Sequence, residues 1–140
     1  MIEGADVFLD TGVLLYAASG RKAAYDKWEI AQGLLTTRFG TSAQVLSEFY
    51  SSAVAKGTHP LSRGDAARWI ALLSQKPFVA IDADIVRLGA EHSENYEISY
   101  WHGAILAAAE RLGARTLYSE DLGHDRTYGS VTAINPFLRT

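Results

Sequence analysis

Residues 7–17 of the chain read VFLDTGVLLYA, a short apolar run that ends in Asp10 and is followed by more apolar residues. A run of three apolar residues stopped by an acid is typical of a strand that is buried in a sheet. Val13, Leu14 and Ala17 then recur at helical spacing, which indicates a helix directly after the strand. This segment therefore predicts a strand followed by a helix, the unit from which parallel sheets are built.

The same alternation of short apolar runs and amphipathic segments continues to the end of the chain. Further strands are predicted at residues 78–81, 116–118 and 131–134. A helix is predicted over residues 24–35, and others are predicted to begin after the capping residues Ser42, Ser62, Asp82 and Ser99. This pattern predicts an α/β fold, with a parallel sheet of about four to five strands flanked by helices on both faces. We expect one domain over residues 1–140, with a connector at residues 57–60.

The composition excludes several kinds of function. The 140 residues include no cysteine, which excludes disulfides, thiolate catalysis, iron–sulfur clusters and cysteine-based zinc sites. Residues 1–6 are acidic where a signal peptide would be basic, and no apolar run approaches the ~18 residues that a membrane span needs. We therefore expect a cytoplasmic protein that does not enter membranes. A net charge of −3 argues against holding nucleic acid by overall charge, so a basic patch or a metal ion would be needed.

Acidic residues follow the predicted strands at the positions where parallel sheets bind ligands. Asp10 follows the first strand, Asp82 the second, and Glu120 and Asp121 the third. Glu48 lies on a predicted helix, at the border of its apolar face. Asp82 precedes a strong helix and is interpreted as its cap, and Asp10 suits a capping role as well as a functional one. Each of the other acids, taken alone, fits an ordinary solvated position.

Together these acids indicate a metal site. Carboxylates that converge at one edge of a sheet repel each other unless a cation lies among them. Hard oxygen ligands select Mg²⁺ or Mn²⁺, and such ions contact phosphate oxygens and activate water. The residues themselves therefore predict a site for phosphoryl chemistry, which would explain how a mildly acidic protein acts on nucleic acid.

Four segments of the chain resemble, in order and spacing, the motifs of PIN-domain proteins. They are FLDTGVLLYA at 8–17, SAQVLSEFY at 42–50, ISYWHGAILAAA at 98–109, and SEDL at 119–122 followed by INPF at 134–137. The resemblance extends from Asp6 to Phe137 and is closest to the VapC-type toxins of bacterial toxin–antitoxin pairs.

The resemblance implies a metal-dependent endoribonuclease, the toxin component of such a pair, which hydrolyses RNA phosphodiester bonds. In that family the acids that match Asp10, Glu48 and Asp121 bind Mg²⁺ or Mn²⁺ and position a water for attack. The resemblance also implies a cognate antitoxin protein as partner and a homodimer. RNA, antitoxin and toxin all come from the resemblance, whereas the carboxylate cluster follows from the residues alone.

The chain departs from the family's pattern at His102, which stands where the third motif usually has Asp, as well as at Gly12 and Asp125. His102 is open to three interpretations. It is a nitrogen ligand that suits Mn²⁺, Fe²⁺ or Zn²⁺ better than Mg²⁺, or a proton shuttle beside the metal, or the mark of a weakened site with one carboxylate fewer. In the third case the chain would be a PIN-like module that binds RNA or antitoxin with lost or weak catalysis. Asp125 and Glu120 are candidates to replace the missing carboxylate.

Substrate contacts are harder to predict from this sequence. Arg126 is the leading candidate for RNA binding because it follows the last acidic motif, and Thr11 and Ser119 are further candidates beside the predicted metal-binding acids. The other basic candidates for RNA contact are scattered, and most of them fit solubility charges: Arg21, Lys22, Lys56, Arg63, Arg68 and Arg87.

The tryptophans and the other histidines are expected to be structural. Trp28, Trp69 and Trp101 occur at helical core spacing, which predicts packing rather than stacking on nucleobases. His92 falls on the inner face of a predicted helix, and His59 lies in the connector, where exposure is expected. A third histidine, at position 124, follows the last acid closely and is a minor candidate for the site.

Overall fold

Six strands and six helices lie along residues 4–55 and 60–138, which are the residues that the computed structural model describes, and a pair of helices follows each of the first three strands. The strands are β1 (Val7–Leu9), β2 (Phe39–Ser42), β3 (Phe78–Val79), β4 (Thr116–Tyr118), β5 (Arg126–Tyr128) and β6 (Val131–Ile134). The helices are α1 (Thr11–Ser19), α2 (Tyr25–Leu34), α3 (Ala43–Val54), α4 (Arg63–Leu73), α5 (Ala83–Tyr96) and α6 (Tyr100–Arg111). Lys56, and His59 of the predicted connector, lie outside the described residues, so the expectations about them stay predictions.

The strands form one sheet in the order β3-β2-β1-β4-β6-β5, in which only β5 and β6 are antiparallel. The predicted α/β fold with a parallel sheet and flanking helices is confirmed, but the sheet has six strands rather than four to five, and its β5–β6 pair is antiparallel. The sequence does not predict β2, because Gly40, Thr41 and Ser42 form no apolar run although all four residues of the strand are buried. It does not predict β5 either, because this edge strand is mostly exposed and lacks an apolar run. β3 ends at Val79, before the predicted end at residue 81.

The chain reverses its direction across the sheet between β1 and β4. From β1 it moves outward through β2 to β3, and it then crosses back to β4 and β6 on the other side. Right-handed crossovers place α1 to α4 on one face of the sheet and α5 and α6 on the other. The packing agrees, since α1 contacts α2 and α3 while α5 lies along α6. The crevice outside the carboxyl ends of β1 and β4 is thus the topological switch point, where such sheets bind ligands.

Helices begin at the predicted side-chain caps, which are Ser42, Ser62, Asp82 and Ser99. Asp82 accepts a hydrogen bond from the Ile85 N–H and lies 2.7 Å from an Arg111 guanidinium nitrogen. The hydrogen bond from Arg111, and after it that from the Ile85 N–H, lower the pKa of the Asp82 carboxyl below its ordinary value. The predicted capping role of Asp82 is confirmed, and this acid takes no part in the crevice.

Trp101 differs in burial from the other two tryptophans. Trp69 is half-buried and packs against the core, with its ring 6.2 Å from that of Phe49. Trp28 is half-buried, and its ring contacts the ring of Tyr25 and the guanidinium of Arg21. Trp101 is 60% exposed, so the prediction that it packs in the core is wrong. The continuous buried stretch of α6 begins at Gly103, two residues after Trp101.

His92 lies at the border of the core, as predicted. Its Nε2 is 2.6 Å from Glu110 Oε1, a contact that joins α5 to α6.

Within the described residues, no helix combines the length and apolar character that crossing a membrane requires.

Candidate metal centre

Asp10 lies at the carboxyl end of β1, where it caps the first turn of α1 and is only 4% exposed. Its Oδ1 accepts a hydrogen bond from the Thr11 N–H at 2.7 Å, and its Oδ2 accepts one from Ser119 Oγ at 2.7 Å. Burial raises the pKa of the Asp10 carboxyl above its ordinary value, and the negative charge of Asp121 adds to this rise. The two hydrogen bonds oppose the rise. The environment therefore disfavours this negative charge, and a cation nearby would stabilise it.

Ser119 connects the two acids that the sequence places after β1 and β4. Its side chain is fully buried, and its Oγ donates to Asp10 while accepting a hydrogen bond from the Asp121 N–H at 3.1 Å. The backbone N–H of Ser119 donates to the Ile134 carbonyl of β6. Neighbouring strands therefore fix this hydroxyl, which holds the carboxylate of Asp10 and the backbone of Asp121 in one arrangement.

Glu48 is joined to the same turn through Thr11. It is half-buried on α3, at the border of the buried face as predicted, and its Oε2 accepts a hydrogen bond from Thr11 Oγ1 at 2.9 Å. Its Oε1 accepts a hydrogen bond from Gln44 Nε2 at 3.1 Å, and the same amide nitrogen donates to the Trp101 carbonyl at 3.1 Å. Gln44, which the sequence did not single out, therefore links α3 to the start of α6.

His102 approaches the acids from the first turn of α6. Its Nε2 lies 3.6 Å from Asp121 Oδ2, and its Nδ1 lies 2.9 Å from Ser99 Oγ, which also accepts the His102 N–H. The imidazole is about a quarter exposed and the Asp121 side chain is 66% exposed, so the crevice is open to solvent on this side.

One ligand atom from each of Asp10, His102 and Asp121 lies within 4.8 Å of the other two. A single ion can contact three atoms at this spacing, and two carboxylates with one imidazole suit a divalent first-row ion such as Mn²⁺. Within residues 4–55 and 60–138 this group does not include Glu48, which reaches Asp10 only through Thr11. The donor set and the buried carboxylate of Asp10 therefore fit a cation.

Glu120, a candidate to replace the missing carboxylate, contacts a different partner. Its Oε2 lies 2.9 Å from Lys27 Nζ on α2, and Lys27 also donates to the Tyr16 hydroxyl at 3.0 Å. The hydrogen bond to Glu120, and after it that to Tyr16, raise the pKa of Lys27, which keeps this amine charged. Sequence reasoning missed Lys27, because 93 residues separate it from Glu120. Asp125, the other candidate, occupies an exposed turn with φ of 63°.

Two sequence candidates lie outside the converging group. Arg126 is exposed at the start of β5, where its guanidinium lies 4.6 Å from the centre of the Tyr128 ring and donates to the Tyr96 carbonyl. His124 is exposed, and its Nδ1 accepts a hydrogen bond from the Asn135 N–H, which ties the loop to the segment after β6.

A comparison with protein families decides the classification of the chain. The family model described as "PIN domain" matches residues 7–130, which is most of the sequence. The chain belongs to the PIN domain family. This confirms the resemblance seen in the four motifs, and the converging side chains are therefore contributed by those motifs of a PIN domain. No curated protein matches the sequence.

Solved structures share the fold of this PIN domain. A toxin–antitoxin complex from Klebsiella pneumoniae matches with a TM-score of 0.68 and 16% identity, over 94% of this chain and 98% of the other. VapC20 of Mycobacterium tuberculosis, described as a toxin that cleaves the sarcin–ricin loop, matches with a TM-score of 0.64 and 19% identity, over 82% and 89%. VapBC2 of Rickettsia felis, bound to promoter DNA, matches with a TM-score of 0.60 and 15% identity, over 91% and 96%. At these identities the likeness is one of fold.

Proposed function

We propose that this PIN domain is a metal-dependent endoribonuclease that hydrolyses RNA phosphodiester bonds. The observation that carries the proposal is the convergence of Asp10, Asp121 and His102 at the switch point of a PIN fold. We further propose that it is a cytoplasmic toxin with a cognate antitoxin protein as partner, and that it forms a homodimer. The structural neighbours described as toxins and toxin–antitoxin complexes support the proposed toxin role and the antitoxin partner.

In this proposal Asp10, Asp121 and His102 hold a divalent ion, either Mg²⁺ or Mn²⁺. Such an ion, when bound, lowers the pKa of water and offsets the negative charge of a phosphodiester. Ser119 keeps the Asp10 and Asp121 carboxylates directed to one point, and its burial favours this positioning role over direct contact with RNA. Glu48 stays a predicted ligand, although it lies outside the converging group and its two oxygens accept hydrogen bonds from Thr11 and Gln44.

The tautomer of His102 determines which of its nitrogens is available to the ion, and Ser99 Oγ can pair with Nδ1 in either tautomer. When Nδ1 carries the hydrogen it donates to Ser99 Oγ, and the lone pair of Nε2 is free on the side of Asp121. In the other tautomer Nε2 carries the hydrogen and cannot bind an ion. The proposed centre therefore requires the first tautomer, with Ser99 accepting from both the ring and the backbone of His102.

The function is tested by incubating pure protein with a structured RNA in the presence of Mn²⁺, Mg²⁺ or EDTA. We expect cleavage with metal and none with EDTA, and faster cleavage with Mn²⁺ than with Mg²⁺ because of the imidazole ligand. Mass spectrometry of the preparation first establishes that no antitoxin has copurified. Antitoxin-free protein that cleaves with neither ion contradicts the nuclease.

His102 itself favours a second candidate function, a PIN-like module that binds RNA or antitoxin with lost or weak catalysis. Replacement of His102 by Asp separates the two candidates. The new carboxylate adds negative charge to the ion site, and an acid at this position in the first turn of α6 also suits the helix dipole. We expect the initial rate of cleavage in Mg²⁺ to rise at least about tenfold and the preference for Mn²⁺ to fall.

His102→Asn serves as the control for this exchange, because it removes the imidazole without adding charge. A gain with Asp that Asn does not reproduce would mark the native centre as weakened in Mg²⁺. A Mg²⁺ rate that stays the same or falls in His102→Asp would instead indicate that the imidazole is needed as a ligand.

A further inference from the structure

Trp101 presents a large apolar side chain to solvent directly beside the candidate metal centre. It is 60% exposed, whereas Trp28 and Trp69 are half-buried. Its neighbour in the first turn of α6 is His102, whose Nε2 belongs to the converging group. Covering this indole with a ligand would recover the free energy of burial that its exposure to water forgoes.

A groove of about 370 Å³ contains both Trp101 and Glu48. Its other lining residues are Ile81, which is 53% exposed, and three polar residues of α3, namely Gln44, Ser47 and Ser51. The amide of Gln44 donates to both Glu48 Oε1 and the Trp101 carbonyl, so it fixes the distance between the indole-bearing turn and the acid. The groove is therefore continuous with the network around Asp10.

The chemistry of this groove favours a neutral planar group over a phosphate. The carboxylate of Glu48 repels phosphates, whereas Trp101 and Ile81 offer apolar surfaces. Hydroxyl and amide groups of α3 supply hydrogen bonds for polar edges. A nucleobase has both features, and a base stacked on an aromatic side chain contributes strongly to single-strand binding.

We propose that Trp101 is the stacking platform for a nucleobase that adjoins the phosphate at the metal centre. The proposal rests on the proposed ribonuclease function and requires an unpaired base, because the bases inside a duplex are already stacked on both faces. The ring of Tyr100 meets the indole edge-on, with centroids 5.1 Å apart at 73°, which supports the indole from one side.

The test measures binding of a short, fluorescein-labelled single-stranded RNA to chains in which Asp10→Asn prevents cleavage. We expect Trp101→Ala to weaken the RNA Kd about 5- to 100-fold, and Trp101→Phe to restore most of the affinity. Tyr25→Ala, which removes a ring on α2 that is 54% exposed, should leave the Kd unchanged. RNA should also quench part of the tryptophan emission, and that part should be absent in Trp101→Phe, a readout that loss of folding does not mimic.

The outcomes separate this proposal from the proposed function. Unchanged RNA affinity in Trp101→Ala, with metal-dependent cleavage by the wild type, overturns the platform and leaves the nuclease intact. Unchanged affinity together with a lower molecular mass in solution also overturns it, and assigns Trp101 to a protein interface. Weakened binding with no cleavage by the wild type supports the platform on a binding module. A chain that neither binds nor cleaves RNA overturns both.

Discussion

A chain that carries Asp10→Asn is expected to lose RNA cleavage by at least about a hundredfold and, without metal, to be more stable than the wild type. The loss follows because a neutral amide replaces the most deeply buried carboxylate of the converging group. The substitution keeps the local structure, since the Asn oxygen accepts from the Thr11 N–H and its amide nitrogen donates to Ser119 Oγ.

The gain in stability arises because the wild type buries the uncompensated charge of Asp10, whereas the variant does not. Burial raises the pKa of Asp10 in the folded chain, which therefore holds its proton to higher pH than the unfolded chain does. As pH rises from the ordinary value through the raised one, the free energy of unfolding falls, and the whole cost is present above the raised pKa. Asn carries no charge, so we expect the variant to have a free energy of unfolding about 0.5–2 kcal/mol higher than the wild type in that pH range.

Thermal or urea unfolding in EDTA measures this difference, which should shrink as the pH is lowered through the titration of Asp10. Adding Mn²⁺ should stabilise the wild type and not the variant, because binding to the folded state alone raises its stability. Glu94→Gln, which neutralises an exposed acid on α5, is the control and should change neither property. Cleavage that survives in Asp10→Asn would contradict the assignment of the metal centre.

The sequence was sufficient to predict where Asp10 and Asp121 would meet. Short apolar runs identify β1 and β4, and parallel strands in adjacent positions bring the residues after them to one edge of the sheet. The position of the His102 ring was not predictable in this way, because it depends on how the crossover through α5 and α6 returns over the sheet. The resemblance identified the residue, whereas the contact with Asp121 required the tertiary structure.

Trp101 shows why helical spacing alone misleads on α6. Residues 103–109 of this helix are all buried, since α6 lies between the sheet and α5, so its burial has no single stripe for a sequence pattern to reveal. Trp101 shares the spacing of Ile105 and Ala108, but the buried stretch of α6 begins only at Gly103. Spacing predicts the direction of a side chain and not whether a neighbour covers it.

The contact between α5 and α6 produces the second large effect, a loss of stability on Gly103→Ala. A Cβ atom at Gly103 would overlap the carbonyl oxygen of Gly89 and lie 3.0 Å from the backbone nitrogen of Ser93. These are backbone atoms of α5, so relief requires the helices to separate. We expect the free energy of unfolding to fall by about 1–3 kcal/mol, as in other overpacked cores. Urea unfolding measures the change.

Gly33→Ala is the matched control, because it makes the same exchange in α2 at a position with no heavy atom within 4 Å of the added Cβ. There the higher helix propensity of Ala acts alone and should raise the free energy of unfolding by about 0.5–1 kcal/mol. Changes of opposite sign in the free energy of unfolding would therefore separate the effect of the close helix contact from that of backbone propensity.

Since His102 precedes Gly103, separated helices should also move its Nε2 away from Asp121 and weaken the stabilisation by Mn²⁺. A Gly103→Ala chain as stable as the wild type would contradict the close contact between α6 and α5. The hydrogen bonds with Ser99 would then be what holds His102 in place.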